Sequence, residues 1–308
     1  MSVRPDDEAR ARARSEHSAA GVDAGGVRAP AEDVRGVAPA SARSRGLRRA
    51  FSHGHPALVA YVMGGYPDRA GALAALRALA EAGADLIELG VPYADPMADG
   101  PVIRDAAEAA RAAAGGAFGL AETIDLAGEF LSEKRENVPP VALMTYLNPL
   151  MRMGLPQAAA AMAGAGIGGV IVPDLPPDNP MAARWLAASQ PLGIDTVFLV
   201  APTSTPERIA TVGQASRGFV YCVSTIGVTG ERSELPAELA DLVARVKAAS
   251  RVPVAVGFGV STPEQAALVA GYADGVVVGS AIVRRQNVTA ELARFVGDLA
   301  KAVHGTNG

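Results

Sequence analysis

Val254-Ala255-Val256-Gly257-Phe258-Gly259 leads through Glu264–Ala270 into Gly275-Val276-Val277-Val278-Gly279-Ser280. The outer segments are short apolar runs of β type, each ending in small residues, and the middle one has a helical apolar period. Strand, helix and strand in close succession imply a parallel pair joined by a right-handed crossover.

The same texture runs back through the chain. Strand-like runs fall at Ala57–Met63, Asp85–Leu89, Val141–Met144, Gly169–Val172, Asp195–Val200 and Phe219–Val223, before the two at Val254–Gly257 and Gly275–Val278. Amphipathic segments lie between them, among them Ala70–Ala82, Ala121–Glu133, Gln157–Ala163, Ala182–Ser189 and Glu238–Ala249. The strand runs are continuous rather than alternating, as in strands buried on both faces. Eight units over about 250 residues predict an α/β fold, a closed (β/α)8 TIM barrel, with an open doubly wound sheet as the alternative.

Composition agrees with a large folded core. Of 308 residues, 49% are hydrophobic, and the formal net charge is -4. Such a balance argues against nucleic acid as the main partner. No apolar run approaches the roughly 18 residues of a membrane span. The single cysteine, Cys222, excludes an internal disulfide and a cysteine-based zinc site. Residues 1–50 differ: they hold ten Arg, no Lys and no aromatic residue. They read as a disordered Arg/Ala-rich extension before a barrel domain spanning 51–308. Acids such as Asp6, Asp7 and Glu8 argue against a transit peptide.

Reactive residues are scarce. The histidines are His17, His53, His55 and His304, all near the ends, and the lysines are Lys134, Lys247 and Lys301 in polar, helix-like stretches. The middle of the chain therefore has no histidine base, no histidine metal cluster and no evident imine-forming lysine. Acid–base chemistry falls to carboxylates, tyrosines or backbone groups.

In a barrel the active site sits at the C-terminal ends of the strands. Gly64-Gly65-Tyr66-Pro67 follows the first strand, which contains Tyr61. In the second, Leu86, Glu88 and Gly90 share one face, and Ile87 and Leu89 the other. A carboxylate in an apolar strand must be neutral or well paired; a strand-end glutamate bonded to backbone is the structural alternative. The loop Val91–Pro101 has three prolines, which stiffen it, and two further acids, Asp95 and Asp99. Two carboxylates in different surroundings can divide acid and base roles, although Asp also caps turns and helix starts. Gly257-Phe258-Gly259 follows the seventh strand, and Gly279-Ser280 opens a short helix, Ala281–Arg284, after the eighth. Phosphate sites recur at these positions of the fold; ordinary turn glycines are the alternative. Gly164–Gly168 precedes a strand and so is not a dinucleotide fingerprint. Ser224–Arg232 is small and polar, suited to a lid or to a mobile surface loop.

Taken in order, Glu88–Pro101, Pro173-Asp174-Leu175-Pro176, Gly227-Val228-Thr229-Gly230, Gly257-Phe258-Gly259 and Gly279-Ser280 closely resemble the tryptophan synthase alpha subunit family. The resemblance covers about residues 56–303. It implies cleavage of indole-3-glycerol phosphate to indole and glyceraldehyde 3-phosphate, with no cofactor and no metal. It assigns catalysis to Glu88, Asp99 and Tyr221, and the indole side to Tyr61 and Tyr146. Gly230, Gly259, Gly279 and Ser280 match the phosphate cradle, and Thr229 a lid residue. It also implies a cytoplasmic protein that passes indole to a separate pyridoxal-phosphate beta subunit in an α2β2 complex. The contacts would come from Tyr146–Pro149, Pro92–Asp95 and the lid. Ile226, Leu147 and Ala94 depart from the residues usual in the family. A stand-alone indole-releasing lyase, a non-catalytic regulator of a beta subunit and another phosphosugar barrel enzyme remain as alternatives.

Overall fold

The computed structural model describes residues 46–96, 99–133, 137–223, 238–257 and 259–305. Nine strands form a parallel sheet: β1 (Ala57–Met63), β2 (Leu86–Gly90), β3 (Val141–Met144), β4 (Gly169–Ile171), β5 (Asp195–Val197), β6 (Leu199–Val200), β7 (Val220–Val223), β8 (Val254–Gly257) and β9 (Gly275–Val278). Their order is β5-β4-β3-β2-β1-β9-β8-β7-β6. The two ends of that order, β5 and β6, are consecutive in the chain and separated only by Phe198. The sheet therefore closes on itself with eight strand positions, the ring expected of a (β/α)8 barrel.

The expected strand Asp195–Val200 is thus interrupted at Phe198. Its backbone N–H is directed to the Ser216 hydroxyl (3.4 Å), while its carbonyl still accepts from Tyr221 (3.1 Å). A side chain has replaced one rung of the ladder, and the ring remains joined on the other.

Eleven α-helices alternate with the strands among the described residues: α1 (Arg69–Glu81), α2 (Pro101–Ala113), α3 (Leu120–Ser132), α4 (Leu147–Met153), α5 (Leu155–Gly164), α6 (Pro180–Ser189), α7 (Pro206–Ala215), α8 (Leu239–Ala249), α9 (Pro263–Ala270), α10 (Ser280–Val283) and α11 (Thr289–His304). Their starts are written locally. Asn179, Thr205 and Thr262 each cap a helix with a side-chain oxygen and are followed by Pro180, Pro206 and Pro263. A proline in the first turn has no N–H to leave unsatisfied. In α11 the buried residues Leu292, Val296, Leu299 and Val303 follow the helical period.

Strand parity sorts the core into two layers. Leu58, Ala60, Val62, Ile87 and Leu89 face the helices; Val59, Tyr61, Met63 and Leu86 fill the barrel. The N-terminal mouth is closed by a 3-10 helix, Leu47–Phe51, whose Leu47 and Ala50 are fully buried in the interior layer. Leu47 N–H donates to the Asp195 carboxylate at 2.9 Å, and Phe51 lies 5.4 Å from the Phe219 ring. The folded region accordingly reaches back to Leu47, inside the segment read from composition as extension. The charged run Arg48-Arg49 hides an apolar pair, Leu47 and Ala50, spaced for one turn.

No helix among the described residues is long and apolar enough to cross a membrane.

Candidate active site

The site grows from the end of β2. Glu88 pairs with Tyr61 of β1 across the ladder, and Gly90 pairs with Met63. Glu88 points into the barrel, as its parity requires, and is only 1% exposed. Among the described residues its Oε2 has no hydrogen-bond partner. Burial, and then the negative charge of Asp99, push its carboxyl up to about 8. It is therefore protonated near neutrality. The alternative role of a strand glutamate, satisfied by backbone, does not describe that oxygen.

The loop above separates its two acids. Asp95 is exposed, whereas Asp99 is buried. Asp99 does not cap the following helix: the N-cap of α2 is Gly100, with no side-chain cap bond. Burial raises the Asp99 carboxyl to about 6, against the opposing pull of a hydrogen bond from Tyr146 and the charge of Arg104. Near neutrality Asp99 is thus largely ionised beside a neutral Glu88. One fold holds two carboxyl groups in two protonation states, the arrangement that divides acid from electrostatic work.

Two tyrosines complete the wall. Tyr61 and Tyr221 are both 5% exposed. Burial, with the charges of Asp99 and Glu88 at Tyr61 and of Glu88 at Tyr221, keeps both phenols well above their ordinary range. Both remain neutral hydroxyls. Glycine at the strand ends makes room for them. A β-carbon on Gly90 would overlap the Tyr61 hydroxyl, and one on Gly257 would overlap that of Tyr221. Tyr146, at the N-cap of α4, faces Tyr93 with ring centroids 5.4 Å apart.

Across the mouth, Gly259 has φ +88°, a left-handed conformation that side chains disfavour. Gly279 is different. Its φ is -110°, and a β-carbon there would make only ordinary contacts of 3.9–4.0 Å with Tyr61 and Ile103. The described neighbours thus leave room for a side chain, while the backbone, with ψ -90°, lies outside the usual α and β regions and itself favours glycine. Ser280, 8% exposed, is the first residue of α10, one position earlier than the helix start read from sequence. First-turn amides of a helix lack intrahelical acceptors and face outward along its axis. Gly230, Thr229, Ile226 and the lid run lie outside the described residues, as does Phe258.

Structure adds groups that sequence gave no means of finding. Arg104, one turn into α2, acts electrostatically on Asp99. Gln286 accepts from Met63 N–H at 2.9 Å and donates to the Met63 and Tyr66 carbonyls at 2.7 and 2.8 Å, pinning the turn after β1 from 220 residues away. No local pattern marks either residue.

Beside the mouth, Asn148 donates to the Tyr93 hydroxyl at 2.8 Å, and Leu147 N–H donates to the Asp174 carboxylate at 2.9 Å. The segments Pro92–Asp95, Tyr146–Pro149 and Pro173–Pro176 thereby share one rim.

Comparison with known proteins agrees with this architecture. The family model described as "Tryptophan synthase alpha chain" matches residues 47–304. That span runs from the leucine that plugs the barrel floor to the last residue of α11. The alpha chain of Mycobacterium marinum is 49% identical over 232 residues, covering 74% of this chain and 81% of the relative. That of Mycobacterium tuberculosis is 47% identical over 253 residues, covering 78% and 88%. Among solved structures, a chain of Mycobacterium tuberculosis tryptophan synthase superposes with TM-score 0.76 at 44% identity, over 84% of this chain and 98% of that one. The alpha subunit from Legionella pneumophila gives 0.71 at 31% identity, over 84% and 97%. A closed eightfold ring, a buried acid at the end of its second strand and a second acid on the loop above it occur here in a sequence matched from floor to final helix, and the chain belongs to the tryptophan synthase alpha chain family.

Proposed function

We propose that this chain cleaves indole-3-glycerol phosphate to indole and glyceraldehyde 3-phosphate, with Glu88, Asp99 and Tyr221 as its catalytic residues. The observation that carries the assignment is Glu88: buried, directed into the barrel, unpartnered at Oε2 and protonated near neutrality.

Retro-aldol cleavage needs one proton delivered and one removed. Neutral Glu88 gives its proton to indole C3, and positive charge develops at the ring nitrogen. Ionised Asp99 accepts a hydrogen bond from the indole N–H and stabilises that charge where it forms. The resulting Glu88 carboxylate takes the proton of the glyceryl hydroxyl as the C–C bond breaks. Its electrons restore the aromatic ring, and the hydroxyl carbon leaves as the aldehyde. Glu88 finishes protonated, as it began, so no metal, imine or cofactor enters. Tyr61 and Tyr146 line the indole side, and the neutral Tyr221 hydroxyl stands beside Glu88. Backbone at Gly259, Gly279 and Ser280 holds the phosphate; the roles of Gly230 in that cradle and of Thr229 in a lid rest on the family resemblance alone, since both lie outside the described residues.

We assign the partner as a tryptophan synthase beta subunit in an α2β2 complex, in the cytoplasm. It would dock on the rim shared by Tyr93, Asn148 and Asp174, where Met151 of α4 is 51% exposed.

The test is indole release by the purified chain, with and without a beta subunit. Glu88→Gln and Asp99→Asn should each cost on the order of two to four powers of ten in turnover, while glycerol 3-phosphate still binds. Native turnover in Glu88→Gln would remove Glu88 from the mechanism.

A further inference from the structure

The fold gathers three histidines at its N-terminal pole, bringing the distant His304 to His53 and His55. Asp85, just before β2, is 8% exposed. Its Oδ1 lies 3.0 Å from His53 Nδ1. Its Oδ2 accepts from Leu58 N–H at 2.8 Å and lies 2.8 Å from His304 Nε2. The His55 ring stacks on His304 with centroids 3.9 Å apart and lies 5.6 Å from the His53 ring. His53 and His304 are 251 residues apart in sequence.

We propose that His53, His55 and Asp85 form a binding site for a divalent late transition metal ion, with zinc the expected occupant. One ligand atom from each of the three lies within 4.8 Å of the others. A tetrahedral ion with bonds of about 2.0–2.2 Å holds its ligand atoms about 3.3–3.6 Å apart. His53 Nδ1 now donates its proton to Asp85 Oδ1 at 3.0 Å, so an ion would displace that proton and spread the pair by a few tenths of an ångström. The His53 side chain is half exposed, so it can adjust without disturbing the core.

The surroundings suit ligation rather than a simple polar cluster. His55 Nδ1 lies 3.0 Å from the Pro56 carbonyl. A carbonyl can only accept, so Nδ1 carries the proton and Nε2 presents the lone pair. This is how a ligating imidazole is oriented by its outer partner. Asp85 is held likewise: the Leu58 amide and His304 fix Oδ2, leaving Oδ1 toward His53. Two imidazoles and one carboxylate form a ligand set suited to zinc and its neighbours, with water completing the shell.

The site is apart from the reacting groups. Asp85 and Glu88 differ in strand parity, so Asp85 faces away from the barrel interior that receives Glu88. A bound ion would tie the segment before β1 to the start of β2. Through His304 on Asp85, it would also involve the end of α11. Its expected effect is therefore on stability. An ion that binds only the folded chain raises stability with its concentration.

The experiment uses the full chain without an affinity tag, stripped of metal and titrated with zinc chloride. Calorimetry should give one equivalent per chain with saturable binding, and the unfolding temperature should climb with zinc. His53→Ala and His55→Gln should each weaken binding at least about tenfold and leave indole release unchanged. His17→Ala should bind as the native chain does. Cobalt(II) should give the intense visible absorption of a tetrahedral nitrogen and oxygen site, lost in His55→Gln. No saturable uptake, or uptake that survives both His53→Ala and His55→Gln, overturns the proposal.

Discussion

The Tyr61 hydroxyl occupies the space that a β-carbon on Gly90 would take. Tyr61 sits opposite Glu88, and its phenol leans one pleat along β2 to lie over Gly90. Tyr221 on β7 makes the same diagonal reach over Gly257 of β8. Each glycine is thus a cavity for a tyrosine from the preceding strand position in the ring, and the pair of phenols frames Glu88.

Filling either cavity tests that frame. Gly90→Ala and Gly257→Ala should each destabilise the chain by about 1–3 kcal/mol, the usual cost of overpacking. Turnover should fall at least about tenfold, since small displacements of catalytic groups are costly. Denaturant unfolding and indole release are the measurements; full activity in Gly90→Ala would show that the phenol's position is immaterial.

The protonated state of Glu88 makes stability depend on pH. Its folded value of about 8 exceeds the ordinary 4.5. The folded chain therefore binds this proton more tightly than the unfolded chain. The contribution is fully present below about 4.5, is lost as pH rises through about 8, and is level above that. Glu88→Gln keeps the shape without the charge, so it should remove this slope. Above pH of about 8 it should be more stable than the native chain, by about 1–4 kcal/mol. Parallel unfolding curves across the range would contradict burial of the group.

Asp99 governs the acid limb of turnover. Its carboxylate must be ionised to stabilise charge at the indole nitrogen, so kcat should fall as pH drops through about 6. Tyr146→Phe removes a hydrogen bond that favours the ionised form. The acid limb should then move to higher pH, with kcat several-fold lower near pH of about 6 and little changed at alkaline pH. A pH profile of kcat decides it; an unmoved limb would separate Tyr146 from Asp99.

Ser280→Asp tests the phosphate cradle. An anion at the first residue of α10 would repel the substrate phosphate across a short distance. The Michaelis constant should rise at least about tenfold with kcat less affected. An unaltered constant would place the phosphate elsewhere.

Sequence by itself determined the architecture and the aim of its central acid. The ranges Ala57–Met63, Val141–Met144, Val254–Gly257 and Gly275–Val278 are the same in sequence and structure. The face of Glu88 follows from strand parity alone. These properties are local: period, branching and turn residues act within a few positions of themselves. Tertiary structure decided the rest. It buried Asp99 and left Asp95 exposed, although one short loop carries both. It broke one strand at Phe198, where the Ser216 hydroxyl took a backbone rung, and it drew Leu47 into the floor beside Asp195. It also set His304 against Asp85 across 219 residues. Ring closure brings such distant positions together, and no pattern within a segment records which neighbours the closed ring will supply.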